Sequence, residues 1–393
     1  MKITQIAPLK NDYLESIGFA WHSDPDGSRY VPGELVEVSQ AQCEAYYAAA
    51  NEAYDMFCAA AQHVIDNDLF FELGIPFNLV ELIKESWEND VHWHLYGRFD
   101  FAGGLDNKPI KLLEFNADTP TAVFETAILQ WAMLTQNGLD ENAQFNDLFD
   151  GLSENFKRLL TLEEDTSGFE NEYAKNPWKI LFTSIEGNIE EEQTTRLIQA
   201  AANHAGFKTA FAYIHEIAFD DENGVFMDGE NYEFLFKLIP WEMIAINEGE
   251  LALRLLNIVK NHKAIILNPA YTLLFQSKGI MKILWDLYPN HPLLLESSSQ
   301  PLRGKKCVKK PFLGREGANT EILGANGEVL EKNGGEYENQ PFLYQEYTEL
   351  NSDENGAKHQ AGVFFAFEGC ALGFRKGGEI LDNFSKFVGH VIK

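Results

Sequence analysis

The chain has 393 residues, of which 45% are hydrophobic and 13% aromatic, and it carries a net charge of −29. This length corresponds to about two to three domains, and the composition excludes a largely disordered chain. The acidic balance and the lack of a Lys/Arg-rich stripe argue against a nucleic-acid partner, whereas a cationic substrate is compatible with them.

The amino-terminal segment and the cysteines indicate the compartment. MKITQIAPLK lacks the long apolar region of a signal peptide, and the longest apolar stretch, residues 264–275, is interrupted by Asn268 and Pro269. These features predict a cytoplasmic protein without a membrane span. The cysteines are scattered without CxxC spacing, which predicts buried free thiols: Cys43, Cys58, Cys307 and Cys370.

The first 95 residues are predicted to form a helical region. Ser39 and Gln42 have the spacing of a capping box, and apolar residues recur at helical spacing from Cys43 to Ile65. The aromatic stripe on this helix is typical of a core-facing surface.

Residues 98–116 are predicted to form a β-hairpin. RFDF and IKLLEFN have strand character, and GGLDNKP between them contains turn residues. Glu114 and Asn116 then share a face, and a turn near Asn107 places Asp100 opposite Glu114 with Arg98 on the same side. Three converging oxygen ligands suit Mg²⁺. An ordinary hairpin with a polar solvent face is the alternative.

A helix is predicted after the hairpin. Thr119 is placed as its N-cap with Pro120 at the first position, and FETAILQWAML continues it. The free amides of such a helix end can bind a substrate carboxylate, helped by the hydroxyls of Thr119 and Thr121. Simple capping by Thr119 is the alternative.

The rest of the chain alternates between strands and helices. WKILFTS, a helix over roughly residues 190–204 ended by Gly206, and TAFAYI form a predicted βαβ unit. EFLFKL and AIILN are further strands, and a short helix is placed from Lys278 to Leu287. The last hundred residues contain the strands CVKKP, FLYQEY, AGVFFAF and CALGFR. The absence of a linker predicts one compact unit.

Several single residues allow two interpretations. Alternation on the strand predicts that Lys310 faces a cleft while Lys309 faces solvent. Gly314 and Gly317 permit a tight loop whose amides approach phosphate, although ordinary turns contain such glycines too. Lys278 and Arg375 are equally compatible with exposed positions. The histidines on either side of Trp93 have no third metal ligand and are interpreted as structural: His92 and His94.

Ordered motifs along the whole chain resemble one family. The segments are GRFDF, IKLLEFNADTPTAVFETAILQW, PWEM, SKGIMKILWDLYPNHPLLL, VKKPFLGREGAN, LYQEY and GFRKGGEILDNFSKFV. They resemble glutathionylspermidine synthases and their shorter, synthetase-only relatives. The resemblance implies an α/β (α+β) ATP-grasp fold with nucleotide between interleaved lobes. Residues 1–393 then form one unit with approximate lobes 1–95, 96–135, 176–290 and 291–393.

The resemblance implies roles for individual charged residues. Asp100, Glu114 and Asn116 resemble the family's magnesium ligands. Arg98 resembles the arginine that contacts phosphate and stabilises the charged intermediate, and Arg375 resembles a second active-site arginine.

It also implies a nucleotide site and a substrate site. Lys278 and Lys310 resemble nucleotide-phosphate lysines, and Gln345 and Glu346 lie where an ATP-grasp hinge holds adenine. The acidic run Glu190, Glu191 and Glu192 matches a pair that contacts the peptide and polyamine substrates, although glutamates at a helix start are also explained by the helix dipole.

The implied activity is ATP- and Mg²⁺-dependent ligation of a carboxylic acid, such as a glutathione-like peptide, to a polyamine-like amine through an acyl phosphate. A catalytically inactive MgATP-binding module and a metal-dependent hydrolase are the alternatives. Bifunctional family members carry an amino-terminal amidase domain that this sequence is not expected to contain. Lys386 lies near the position of an acidic polyamine contact, where a lysine repels an ammonium group.

Overall fold

The computed structural model describes residues 1–159 and 178–393, so the first two residues of the lobe predicted at 176–290 lie outside the described chain. The α-helices, numbered in chain order, are α1 Asn11–Ser16, α2 Gln40–Asp66, α3 Val80–Glu88, α4 Gln130–Thr135, α5 Leu148–Leu159, α6 Ile189–His204, α7 Trp241–Asn247, α8 Gly249–Lys260, α9 Thr272–Gln276 and α10 Ile280–Leu287. A π-helical segment covers Glu125–Leu129, and 3₁₀ turns cover Phe70–Leu73, Phe77–Leu79 and Ile214–Glu216.

The strands of the described residues belong to four sheets. They are β1 Ile3–Gln5, β2 Glu34–Val38, β3 Gly97–Ala102, β4 Lys111–Asn116, β5 Lys179–Ser184, β6 Lys208–Tyr213, β7 Ala218–Asp220, β8 Gly224–Met227, β9 Glu230–Tyr232, β10 Phe234–Lys237, β11 Ile265–Leu267, β12 Ser297–Ser298, β13 Cys307–Pro311, β14 Glu321–Leu323, β15 Val329–Lys332, β16 Phe342–Glu346, β17 Asn351–Ser352, β18 Lys358–Ala366, β19 Glu368–Gly377 and β20 Lys386–Ile392. The mixture of helices and sheets confirms the predicted α/β (α+β) class.

The predicted amino-terminal helix is present as α2. The Ser39 hydroxyl accepts from the Gln42 amide at 3.3 Å, and the Gln42 side chain accepts from the Ser39 amide at 2.8 Å, so the capping box is confirmed. Tyr46 and Phe57 on its inner face are fully buried. The region is not wholly helical, however, because β1 and β2 are also drawn from it and join the large sheet.

The large sheet carries the predicted hairpin. Its strand order is β1-β2-β20-β19-β18-β3-β4, with β17 paired to β18. In the β3–β4 register Asp100 faces Glu114 and Arg98 faces Asn116, as the alternation predicted. The turn contains Asn107 in the left-handed region, with φ of 60°. The hairpin therefore places its polar side chains on one face.

A second, parallel sheet has the order β11-β10-β5-β6 and contains the predicted βαβ unit. Its crossover helix α6 is capped by the Asn188 side chain and is followed by Gly206 at φ of 102°. The carboxyl end of β10 supplies Lys237, which is only 1% exposed. This sheet therefore presents a buried cation at the edge where ligands bind in open α/β sheets.

The third sheet is antiparallel, in the order β12-β16-β13-β14-β15, and a small β7-β8-β9 sheet completes the set. The Lys310 side chain on β13 donates to the Leu113 carbonyl on β4 at 3.0 Å. This bond connects the third sheet to the hairpin of the large sheet. The arrangement leaves a cleft between the two sheets.

Two predicted helix starts are wrong. The helix placed at Thr119 begins only at Val123, because Ala122 has a left-handed φ of 66° and the Thr119 hydroxyl accepts a bond from Arg315 at 3.2 Å. Lys278 lies in the turn between α9 and α10, where its amide donates to the Phe312 carbonyl at 2.9 Å. At Thr119 a distant contact overrides the local capping signal, and at Lys278 the bond to Phe312 holds the residue in the turn before the helix.

Apolar residues fill three larger buried clusters, one of which contains α2 and the β3–β4 hairpin. The four cysteines are free; Cys58 is partly buried and the other three are buried. In the residues that the structure describes, no helix is long and apolar enough to cross a membrane.

Buried histidines are expected to make the unfolding free energy fall as the pH is lowered. Burial lowers the pKa of His92 and His94 to about 4 and that of His390 to about 3. An unfolded histidine titrates near pH 6.5, so below that pH the unfolded chain binds more protons and stability falls until the folded pKa is reached. Between pH 7 and pH 5 each histidine costs about 2 kcal/mol of unfolding free energy.

His390→Gln is expected to reduce this pH dependence by about 2 kcal/mol, measured as the change in urea unfolding free energy between pH 7 and pH 5. The variant has to be compared with wild type, because burial also raises the pKa of Glu190 to about 8. A raised carboxyl pKa makes the unfolding free energy increase as the pH falls, which is opposite to the effect of the histidines. The exposed His215→Gln serves as the control. An unchanged slope in His390→Gln contradicts the prediction.

Candidate functional site

A cleft between the large sheet and the third sheet collects most of the predicted site residues. Thirteen of them line it: Arg98, Asp100, Glu114, Asn116, Thr119, Thr121, Lys278, Lys310, Gly314, Gly317, Gln345, Glu346 and Arg375. Sequence separations of up to 277 residues, from 98 to 375, are thus bridged by the fold. Two predicted residues, Glu190 and Glu191, are not part of this lining.

Arg98 and Asp100 form a paired unit at the base of the cleft. The Arg98 guanidinium donates to both Asp100 oxygens, at 2.7 and 3.0 Å, and to the Thr121 carbonyl at 2.7 Å. Both side chains are nearly fully buried. A two-pronged bond of this kind fixes the orientation of the guanidinium plane. These bonds therefore fix the Arg98 guanidinium beside the carboxylates of the hairpin.

Glu114 and Asn116 continue the same polar face. The Asn116 amide donates to Asp100 at 3.0 Å and to Glu114 at 3.4 Å, and the Lys278 ammonium lies 3.2 Å from Glu114. Burial would raise the pKa of the Glu114 carboxyl, but Lys278, Lys310 and Arg98 hold it at about 2. Glu114 is therefore ionised at neutral pH.

The donor set fits a hard divalent cation. Asp100 and Glu114 supply carboxylate oxygens on adjacent strands, and the Asn116 side-chain nitrogen donates to both of them. A half-turn of the Asn116 amide group would present its oxygen to the same point. Mg²⁺ is typically held by one or two carboxylates together with substrate phosphates and water. No group of three His, Cys, Asp or Glu side chains suited to a metal occurs in the described ranges 1–159 and 178–393. Two carboxylates and one amide are a donor set of the hard type that Mg²⁺ takes.

Two lysines face this donor set. The Lys310 ammonium is nearly buried, and burial lowers its pKa to about 8 although Glu114 counteracts the effect. Lys278 donates to the Gly314 carbonyl at 2.8 Å. Lys309 points to the opposite face of β13, where it pairs with Glu321 at 3.2 Å. The predicted division between Lys310 and Lys309 is therefore confirmed.

The β16 end of the cleft contains an unpaired amide. Gln345 is 1% exposed, and its Nε2 has no hydrogen-bond partner among the described residues. A buried donor without a partner is costly and indicates a missing acceptor. Glu346 beside it pairs with Lys305 at 3.1 Å. This edge therefore has an unused donor for a ligand.

A family model identifies the chain. The model, described as glutathionylspermidine synthase preATP-grasp, matches residues 1–393. The chain belongs to this family. A Haemophilus influenzae relative, provisionally named an acid–amine ligase, is 29% identical over 402 residues, covering 98% of this chain and 97% of the relative.

Other members of the glutathionylspermidine synthase family extend beyond this chain. The bifunctional glutathionylspermidine synthetase/amidase of Escherichia coli is 25% identical over 86% of the chain, which spans 55% of that relative. A glutathione synthetase-like effector of Globodera pallida, solved in its apo form, superposes with a TM-score of 0.57 at 12% identity, covering 97% of this chain and 95% of that one. This superposition supports the assigned fold.

Sequence reasoning missed some cleft residues. Gln360 lines the cleft opposite Arg375 across β18 and β19, and Arg375 itself donates to the Asp382 carbonyl at 2.7 Å. Arg315 lines the cleft and pairs with Glu242 at 2.6 Å. Its position in GREGAN was visible, but nothing local identified a partner 73 residues away.

Two further predicted features lie outside the cleft lining. Glu190 is partly buried, and burial together with the charges of Glu125 and Glu316 raises its pKa to about 8. Of these two neighbouring charges, Glu316 lines the cleft. Lys386 contacts the Asp24 carboxylate and donates to the Ser28 hydroxyl at 2.7 Å. The lysine charge is therefore already paired within the protein.

The stem of Arg98 lies over a glycine, Gly362. A methyl group there would lie 3.0 Å from the Arg98 Cδ, and moving this side chain away would strain the bonds of its guanidinium to Asp100 and Thr121. Gly362→Ala is therefore expected to lower the unfolding free energy by about 1–3 kcal/mol. Denaturant unfolding measures the effect, with Gly378→Ala as a control because its nearest neighbour lies at 3.9 Å. Equal stability of both variants contradicts the prediction.

Proposed function

We propose that this protein is an ATP- and Mg²⁺-dependent acid–amine ligase that forms an amide bond through an acyl phosphate. Family membership and the names of its relatives support the reaction class. The observation that carries the proposal is the juxtaposition of Asp100, Glu114 and Asn116 with Arg98 and two lysines in one cleft. Such a set neutralises phosphate charge during transfer.

Each side chain has a defined task in this proposal. Asp100, Glu114 and Asn116 hold Mg²⁺, which when bound supplies charge neutralisation to the phosphates. Lys278 and Lys310 contact the phosphates, helped by the amides near Gly314 and Gly317. Gln345 and Glu346 lie on the adenine side, where the Gln345 side-chain amide is the available donor. Positioning and charge stabilisation then provide most of the acceleration.

The reaction has two displacement steps. A carboxylate oxygen of the acid attacks the γ-phosphorus of ATP, and ADP leaves. The amine nitrogen attacks the carbonyl carbon of the resulting acyl phosphate, inorganic phosphate leaves, and the nitrogen loses a proton. Arg98 and Arg375 stabilise the negative charge that accumulates on the phosphoryl oxygens and the carbonyl oxygen.

We propose a glutathione-like peptide as the acid and a polyamine-like amine. The names of relatives, which include glutathionylspermidine synthase and trypanothione synthetase of Crithidia fasciculata, support this substrate class. Glu190 and Glu191 interact electrostatically with Glu316 and Arg315 of the cleft lining, and burial raises the pKa of both carboxyls, that of Glu190 to about 8. A bound ammonium group would favour their ionised forms, so the two glutamates are the proposed contacts of the amine. Thr119 and Thr121 offer hydroxyls for the acid. The pairing of Lys386 with Asp24 reduces the repulsion of a polyamine that the sequence predicted.

ADP release with a panel of peptide acids and amines tests the proposal. Release that requires both substrates and Mg²⁺ supports a ligase. Tight MgATP binding without turnover for any pair supports the alternative, a catalytically inactive nucleotide-binding module acting through a partner. Metal-dependent hydrolysis without ATP would support a hydrolase, which the lysines of the cleft disfavour.

Nucleotide binding is expected to weaken above pH 8. Lys310 contacts phosphate only as an ammonium, and burial lowers its pKa to about 8, so the dissociation constant of MgADP should rise by up to about tenfold per pH unit above that value. Calorimetric titration at pH 7, 8 and 9 measures it. Lys310→Arg should remove this dependence, because arginine stays protonated. A pH dependence that persists in Lys310→Arg contradicts the assignment.

A further inference from the structure

The loop between β13 and β14, residues 312–320, covers one side of the cleft and is called the glycine loop here. Gly314, Arg315, Glu316 and Gly317 from it line the cleft. Gly317 has a φ of 68°, and an added Cβ there would lie 2.2 Å from the Leu381 carbonyl oxygen. The glycine loop therefore packs closely against the backbone at Leu381. The side-chain contacts of the loop determine whether it stays in this position.

Arg315 connects the glycine loop to two other segments. Its guanidinium donates to Glu242 Oε1 at 2.6 and 3.2 Å, and to the Thr119 hydroxyl at 3.2 Å. Glu242 is 6% exposed and Thr119 is 9% exposed. Charge-assisted bonds to a largely buried carboxylate are stronger than neutral ones. The guanidinium therefore joins three parts of the chain at one point.

The two partners of Arg315, Thr119 and Glu242, are next in sequence to residues that form buried hydrogen bonds with each other. Asp118 precedes Thr119, and Trp241 precedes Glu242. The Trp241 amide donates to Asp118 Oδ2 at 2.8 Å, while the Lys237 ammonium lies 2.9 Å from Asp118 Oδ1. Asp118, Trp241 and Lys237 are each at most 1% exposed. The site that receives Arg315 is therefore assembled by buried bonds before any ligand arrives.

We propose that Glu242 is a positioning residue that holds the glycine loop over the cleft by anchoring Arg315. Glu242 does not line the cleft, so it acts through Arg315. A fixed loop keeps its backbone amides in place for an anionic ligand and lowers the ordering cost of binding. The inference deepens the proposed function and rests on it only for the identity of that ligand.

Hydrogen exchange on the full chain without nucleotide tests the anchor directly. Amides of residues 312–320 are expected to exchange about tenfold faster in Glu242→Leu, which removes both carboxylate oxygens at similar size, and less so in Glu242→Gln. Trypsin should cleave after Arg315 faster by a similar factor. Glu230→Gln is the matched control, because it removes a glutamate paired with Lys179 and Lys208 away from the loop.

A double-variant comparison separates the anchor from general destabilisation. Arg315→Met should open the loop at least as much as Glu242→Leu, because it also loses the bond to Thr119, and the double variant should open it no further than Arg315→Met alone. Additive effects, or exchange equal to wild type in Glu242→Leu, overturn the proposal. MgADP should bind about tenfold more weakly to Glu242→Leu, and unchanged affinity overturns the positioning role. Failure of wild type to bind MgADP overturns the proposed function instead, since the exchange result does not depend on nucleotide.

Discussion

Glu114→Gln is expected to lower ATP-dependent amide formation by about a thousandfold. The pKa of this carboxyl is held at about 2, so the wild-type side chain carries a full negative charge at neutral pH. Glutamine keeps the size of the side chain but removes that charge from the proposed metal donor set. If the proposed Mg²⁺ site is correct, a loss of this size follows from weaker metal binding during phosphoryl transfer.

Calorimetry distinguishes loss of metal binding from loss of fold. ADP binding should be strengthened by Mg²⁺ in wild type and much less in Glu114→Gln, with unfolding measured in parallel. Glu321→Gln is the control, because Glu321 pairs with Lys309 on the opposite face of β13. A Glu114→Gln variant that keeps normal turnover and normal Mg²⁺ dependence refutes the metal assignment.

The hairpin could be predicted from the sequence because its information is local. Strand alternation and turn residues fixed which side chains share a face, and the register of Asp100 opposite Glu114 followed. The division between Lys309 and Lys310 follows from the same period of two. These predictions needed no knowledge of distant segments.

Features set by long-range contacts were beyond local patterns. The helix start at Thr119 was misplaced because the threonine hydroxyl bonds Arg315, 196 residues away. The strand β1 is only three residues long and pairs with β2 across 28 intervening residues, 6–33, so its pattern is too short to recognise. The Arg315–Glu242 pair likewise depends on how two lobes pack. Residues such as Lys278 and Arg375, which local patterns left open between an exposed and a functional position, were assigned to the site only through the family resemblance.

Arg98→Lys is expected to lower the rate of acyl phosphate formation by about a thousandfold while changing the affinity for MgADP by less than about threefold. Lysine keeps the positive charge, which matters because Asp100 is 2% exposed and would be left buried and unpaired by a neutral residue. Lysine cannot, however, reproduce the two bonds at 2.7 and 3.0 Å that orient the guanidinium.

The ratio of the two effects identifies where Arg98 acts. A contact made only as phosphoryl charge develops affects the catalytic rate and leaves ground-state nucleotide binding intact. Single-turnover formation of ADP, with calorimetric MgADP binding beside it, measures both quantities, and the exposed pair of Arg196 with Glu192 offers Arg196→Lys as a control. Equal losses in rate and affinity would show that Arg98 binds nucleotide in the ground state and would remove it from the catalytic set.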